Sequence, residues 1–260
     1  MAESEIRATA EEQPAPVAVI HGASGGVGGA AVEYLLEQGR FVFATCRNPD
    51  GAHALIKLGR AFPRHLEIRA MDLTSESSVR AAAAHARGLN RPLDLMLNCV
   101  GLLHAGEIQP ERRLSDFDPE IALHVLRVNA VGPLLAIKHF SPLLERTRQT
   151  IVANISARVG SIGDNKLGGW YSYRGSKAAL NMFTRNAAIE LRRRYPNVVC
   201  VALHPGTVAT ALSDPFTARL PAGQLQQAEQ SAANLFDVIG SLKSTDNGQF
   251  FAWDGARLPW

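Results

Sequence analysis

The segment "VAVIHGASGGVGGAAVEYLLEQG", 17–39, constrains the fold more than any other part of the chain. Its apolar start reads as a buried strand, a glycine-rich turn follows, and the positions after the turn carry the spacing of an amphipathic helix. Gly22, Gly26 and Gly28 stand in GxxxGxG spacing. Glycine lets such a turn close tightly, lets the backbone approach a bound group, and lets helix and strand pack closely. Together with Ser24, Gly25 and Val27, these residues are a candidate cradle for a diphosphate, whose charge the helix N-terminus would meet. A purely structural turn also needs a glycine or two. The position at the first strand-to-helix junction is what favours a nucleotide.

The same alternation continues to the end of the chain. The apolar runs "VAVI", "FVFAT", "LEIRAM", "LDLMLN", "TIVANIS", "VVCVAL" and a last one near "QFFAW" are separated by helix-compatible segments beginning near Gly26, Gly51, Ser75, Phe117, Tyr171 and Glu229. This is the pattern of helices covering both faces of a parallel sheet. A doubly wound α/β fold with about seven strands is expected, and 260 residues suffice to bury its core. No linker, repeat or low-complexity block follows Pro16, so 17–260 is expected to form one domain. The polar, acidic stretch 1–16 lacks the basic start and apolar centre of a secretory signal and reads as a loose tail.

Charge and cysteine usage exclude several classes. The formal net charge is +3 and the basic residues are scattered, apart from Arg192, Arg193 and Arg194. A nucleic-acid partner, which demands a concentrated basic stripe, is not expected. No uninterrupted apolar run approaches the roughly 18 residues that span a bilayer, so no membrane partner is expected either. Cys46, Cys99 and Cys200 lie in or at the end of strand-like runs, with neither metal-ligand nor disulfide spacing. They read as reduced thiols of a cytoplasmic protein without a metal site.

The second strand ends "FATCRNP", with no acidic residue where ribose hydroxyls would be bound and with Arg47 just beyond. A guanidinium there can pair with the 2′-phosphate of NADP(H), which is expected to be preferred, with NAD(H) as the alternative. An ordinary exposed arginine is the plain reading. Asp72, followed by Leu73 in "MDLT", either accepts from an adenine amino group or caps the next turn. The irregular stretch "TALSDPFTARLPAGQLQQ", 210–227, is either a lid over the ligand crevice or a surface connection.

Further motifs are "LNCVG" (97–101), "VNAVGP" (128–133), "NISARVGS" (154–161), "YRGSK" (173–177), "HPGTVAT" (204–210) and the ending "GQFFAWDGARLPW". Taken with the glycine turn, they resemble the short-chain dehydrogenase/reductase family over essentially the whole chain after Pro16. The last two look most like the subgroup of C-factor-type proteins and small carbonyl reductases. The resemblance implies a Rossmann-type fold and hydride transfer between a nicotinamide and a small carbonyl or alcohol substrate. It adds Asn98, Gly101, Pro205, Gly206 and Val208 to the cofactor set of Gly22, Ser24, Gly25, Gly26, Val27, Gly28, Arg47, Asp72 and Leu73.

The family pattern needs a tyrosine four residues before a lysine, on one helical face. Tyr173 and Lys177 satisfy it, whereas the residue four beyond Tyr171 is Gly175. By resemblance, Tyr173 is the general acid/base, and Lys177 lowers its pKa and binds the nicotinamide ribose. Ser156 donates to the substrate oxygen, and Asn129 holds a water that returns protons to Lys177. The plain readings are a strand-end turn serine and a helix-bending asparagine bonded to backbone. His21, where many relatives have threonine, and "NCVG" in place of "NNAG" are departures that touch the support of the cofactor loop rather than the chemistry. The long stretch from Ser156 to Tyr173 is expected to border the substrate, with Trp170 and Tyr171 either lining it or packed in the core. The family further implies a homodimer or homotetramer built on the helices of Asn129 and Tyr173, although Ala178, Met182, Phe183 and Ile189 could instead pack on the chain's own sheet. A nucleotide-sensing or signalling protein of the same fold is the alternative function. The joint presence of Asn129, Ser156, Tyr173 and Lys177 argues against it, because a pure binder needs no proton donor.

Overall fold

The computed structural model describes residues 15–217 and 223–260. Residues 1–14 of the expected tail and 218–222 of the expected lid lie outside them. The seven expected strands form one parallel sheet: β1 (Val17–His21), β2 (Phe41–Cys46), β3 (Leu66–Ala70), β4 (Leu93–Asn98), β5 (Thr150–Ile155), β6 (Val198–His204) and, after a small pair described below, β9 (Phe250–Ala252). Their order is β3-β2-β1-β4-β5-β6-β9. It reverses between β1 and β4, so a crevice opens there beyond the strands' carboxyl ends.

Helices cover both faces, which is why the central strands are apolar on both sides. On one face, α1 (Gly26–Glu37) and α7 (Ala228–Ser241) pack Val32, Leu36 and Leu235 against Ile20, Leu97 and Leu203. On the other, α3 (Glu76–Gly88), α5 (Gly132–Phe140) and α6 (Tyr171–Arg194) pack Val79, Phe140 and Leu191 against Val19, Phe43 and Cys200. Val19 and Ile20 thus serve opposite clusters, as strand alternation requires. The short helix α2 (His53–Ala61) lies beside β3.

The helical segment expected near Phe117 has internal structure that bears on the site. Asp118 caps α4 (Pro119–Leu126), accepting from the N–H groups of Glu120 at 2.8 Å and Ile121 at 3.0 Å. Pro119 occupies the first turn, where its missing N–H costs nothing. A π-turn, Arg127–Val131, then joins α4 to α5. By length and composition the whole run Pro119–Leu143 is apolar enough to cross a membrane. It escapes notice as a continuous apolar stretch because Glu120, Arg127 and Lys138 interrupt it. Part of its apolarity serves the fold: Ala136, Ile137 and Phe140 are core residues, and the run packs against α3 and α6.

Inside the stretch expected to be irregular, β8 (Leu225–Gln226) pairs in parallel with β7 (Thr207–Val208). This small pair brings the two ends of the segment that follows β6 together.

Candidate active site

The glycine turn has the geometry a diphosphate cradle needs. Gly22 is left-handed (φ 77°), and a Cβ there would lie 2.8 Å from the Val100 side chain and 3.0 Å from its backbone nitrogen. A Cβ on Gly28 would collide with the Gly22 carbonyl, and one on Gly26 with the Thr210 side chain. Gly25 precedes α1 without a side-chain cap, so no side chain competes for the first-turn N–H groups. Ser24, Gly25 and Gly26 are exposed, while Val27 packs its side chain on the core. Residues and backbone therefore fit the diphosphate of a dinucleotide.

At the adenosine end, Arg47 is exposed just past β2. Of the two readings of Asp72, the structure shows the turn cap. Its Oδ1 accepts from the Thr74 N–H and hydroxyl, each at 2.8 Å, which is the turn cap. Its carboxyl is held below the usual range mainly by that N–H, with burial opposing and with Arg47 and Arg127 adding attraction. Arg127, whose Nε donates to the Thr74 carbonyl at 3.2 Å, is a second cation here that sequence reasoning missed. The Leu73 side chain is buried beneath Gly132, leaving its backbone to border the crevice.

Tyr173 and Lys177 lie one turn apart on the buried face of α6, with the Lys177 ammonium 5.8 Å from the centre of the Tyr173 ring. Lys177 Nζ donates to the Ile155 carbonyl at 2.9 Å and would be 3.7 Å from a Cβ on Gly101. The lysine thus sits under the end of β4, beside the crevice. Burial lowers its pKa to about 8, partly offset by the neighbouring Cys99 thiol, which burial in turn pushes up to about 12. The expected depression of the Tyr173 pKa is not what this geometry gives. Burial raises the phenol above its ordinary value, because desolvation of the phenolate outweighs an ammonium that is itself bonded elsewhere. Tyr173 therefore keeps its proton near neutrality, as a donor must.

Three other expected residues have partners different from those anticipated. Ser156 Oγ donates to Asn181 Oδ1 at 2.6 Å, deep between β5 and α6. The Asn129 side chain exchanges bonds with the Leu102 backbone (2.7 and 2.8 Å) and donates to Ser176 Oγ at 2.9 Å, which uses both amide hydrogens and one lone pair of Oδ1. It ties the π-turn to the loop after β4 and to α6. Asn98 donates to Asn154 Oδ1 at 2.5 Å, and Asn154 to Thr184 at 2.9 Å, a buried chain that braces the strand ends rather than reaching the crevice. His21 continues this row, bonding Thr45 at 2.8 Å and meeting the Phe140 ring edge-on, consistent with a supporting role.

The walls come from loops that carry no motif. Trp170 meets Tyr173 edge-on, with ring centres 6.2 Å apart, and meets Phe216 at 5.0 Å. His104, from the loop after β4, contacts Phe216 at 5.8 Å and shares its Nε2 between the carbonyls of Ala211 and Leu212 at 3.1 and 3.2 Å. The described part of the expected lid is thereby closed over the crevice, with Thr210 at Gly26 and Leu212 beside Gly101. Gly206 (φ 82°) turns the chain out of β6 after Pro205, and Val208 is buried in β7. Of the two aromatic residues expected at the substrate, Trp170 faces Tyr173, whereas Tyr171 is 40% exposed. Tyr171 instead borders an open apolar groove of about 420 Å³ between α4 and α6, on the side of α6 away from the chemistry.

A dinucleotide cradle at a sheet's switch point, with a buried tyrosine–lysine pair beside it, defines a nicotinamide-dependent oxidoreductase. The short chain dehydrogenase model matches residues 16–220. Among curated proteins, the chain is 32% identical to 1-hydroxy-2-glutathionyl-2-methyl-3-butene dehydrogenase of a Rhodococcus species, covering 93% of this chain and 98% of that one. It is 35% identical to the C-signal protein of Myxococcus xanthus over 65% of this chain and 93% of that one. Among solved structures, NADPH-bound carbonyl reductase from chicken fatty liver superposes with a TM-score of 0.83 at 30% identity, covering 96% of each chain. The chain belongs to the short-chain dehydrogenase family and is an NAD(P)-dependent oxidoreductase.

Proposed function

We propose that the protein is an NADPH-dependent reductase of small ketones or aldehydes, with Tyr173 as its general acid. The observation that carries this reading is the Tyr173–Lys177 pair, one turn apart and buried beside Gly101 at the crevice, with the phenol held in its protonated form. When bound, the nicotinamide supplies the hydride. As hydride reaches the carbonyl carbon, charge grows on the oxygen, and the Tyr173 hydroxyl donates its proton there. Lys177, largely charged at neutrality, holds the nicotinamide ribose and stabilises the phenolate that remains. Asn129 keeps the π-turn and α6 in register, and Ser156 sets α6 against β5 through Asn181. Arg47 favours the 2′-phosphate, with Asp72 and Arg127 beside it.

The test is a panel of ketones and aldehydes with NADPH, followed by nicotinamide absorbance. Oxidation of NADPH with at least one of them is expected, and faster than with NADH. The similarity to C-signal favours a second reading, in which cofactor occupancy itself is the signal. Tight NADPH binding without turnover across the panel would favour it over the first.

A further inference from the structure

The helix that carries Tyr173 and Lys177 begins in an unusual way. Gly168, Gly169 and Trp170 are consecutively left-handed, with φ of 64°, 65° and 51°. Glycine adopts this conformation freely, but a bulky aromatic residue does not. Trp170 is also the residue that would cap α6, and its side chain makes no cap bond. Both deficits are made good by Glu111, in the loop after β4 and 61 residues before Ser172. Its main-chain carbonyl accepts from the Trp170 N–H at 2.6 Å. Its two carboxylate oxygens each lie 3.2 Å from the Ser172 N–H, and Oε1 accepts a short bond from the Ser172 hydroxyl. A Cβ on Gly169 would already touch the Glu111 carbonyl at 3.4 Å, so the chain passes close here.

Glu111 is 4% exposed. Among the described residues its carboxylate makes no ion pair. What satisfies the buried carboxyl is the first turn of α6, through the N–H and the hydroxyl of Ser172. Tyr173 follows Ser172 in that turn, and Trp170, immediately before the turn, holds the ring that faces Tyr173.

We propose that Glu111 is a positioning residue for the reduction: by capping α6 from another loop and holding Trp170 left-handed, it fixes the Tyr173 phenol and the Trp170 indole in one geometry toward the substrate. The inference rests on Tyr173 being the proton donor. A helix end free to fray by a fraction of a turn would carry the phenol away from the substrate oxygen while leaving the diphosphate cradle intact.

The experiment compares Glu111→Ala, Glu111→Gln and the double variant Glu111→Leu/Ser172→Ala with wild type and Tyr173→Phe, on one carbonyl substrate. The double variant removes both side-chain partners, so it leaves no carboxylate buried without its cap. In Glu111→Ala and in the double variant kcat should fall by roughly 10- to 100-fold, the range expected for misplacement of a reacting group. The NADPH dissociation constant, read by nicotinamide fluorescence, should stay within about 2-fold, since the cradle is untouched. Glu111→Gln keeps an acceptor for the Ser172 N–H and should restore most of kcat. Wild-type kcat in Glu111→Ala or in the double variant overturns the proposal. So do parallel losses of kcat and NADPH affinity or failure of both to fold, which would make Glu111 a folding residue, and so does a Gln variant as impaired as Ala. Tyr173→Phe separates the two levels: near-normal turnover there removes the proton-donor reading and this inference with it, whereas loss of turnover there with an unaffected Glu111→Ala removes this inference alone.

Discussion

At the scale of single residues, the two tyrosines give the sharpest contrast. Tyr173→Phe removes one oxygen and the proton donor, and a loss of roughly 100- to 10,000-fold in turnover is expected with NADPH binding intact. Tyr171→Phe should leave the chemical step unchanged, because Tyr171 faces the outer groove. Lys177→Met should damage both turnover and NADPH affinity. Near-normal turnover in Tyr173→Phe, measured where chemistry limits the rate, would sink the mechanism. Arg47→Ala should weaken NADPH relative to NADH by roughly 1.5 to 3 kcal/mol if the contact is charge-assisted, and an unchanged ratio of the two affinities would end that assignment. Ser156 decides between two roles. Its hydroxyl donates to Asn181, so Ser156→Ala should cost about 1 to 3 kcal/mol of stability by leaving a buried acceptor unpaired, with little change in kcat. A large fall in kcat at unchanged melting temperature would instead return Ser156 to the substrate. The tyrosine–lysine pair was legible in the sequence because helical spacing is local. The bond from Ser156 to Asn181 and the cap from Glu111 to Ser172 were not, because the residues they join are 25 and 61 positions apart.

At the scale of elements, strands and helices were readable because each announces itself by its own period, and the seven strands lie where their apolar runs do. Two elements were not readable. The π-turn Arg127–Val131 has no sequence period, and only the inward turn of Asn129 onto Leu102 and Ser176 reveals what it does. The β7–β8 pair joins segments of two residues each, too short to show alternation. The outer face of α6 carries a prediction of its own. Met182 and Ile189 are 59% and 47% exposed, so the chain's own sheet does not satisfy them. With Leu123 and Tyr171 they extend the apolar groove between α4 and α6 into a stripe that a second copy of the chain can cover. Light scattering at micromolar concentration should give at least twice the 28.0 kDa of one chain, and Leu123→Glu with Met182→Glu should return it to one. A wild-type particle of 28.0 kDa would refute the pairing.

At the scale of the whole molecule, the buried polar row at the strand ends makes stability depend on pH. Burial lowers the His21 pKa from 6.5 to about 3. His204 falls from 6.5 to about 4 by burial, with Arg158 adding repulsion and Asp254 opposing. Both are therefore neutral in the folded chain at a pH where the unfolded chain already binds protons. Between pH 6.5 and 4 the unfolded state holds up to two more protons than the native state, so stability rises with pH across that window and is lost as pH falls. Each group contributes a slope of about 1.4 kcal/mol per pH unit, so acidification from about pH 6.5 to about pH 5 should remove up to about 4 kcal/mol. That is a large share of the roughly 5 to 15 kcal/mol that holds a domain together. Carboxylates held low by hydrogen bonds, Asp72 and Glu145 among them, add to the loss only at lower pH, below their ordinary values of 3.8 and 4.5. Urea unfolding at about pH 7.5 and about pH 5 should show the midpoint falling with m unchanged. Replacing His21 by threonine, which offers a hydroxyl where the ring stood, should remove about half of the pH slope whatever it does to stability at neutrality. A midpoint that stays flat between those two conditions would mean that these histidines gain protons in the folded state, and that the strand ends are open to water.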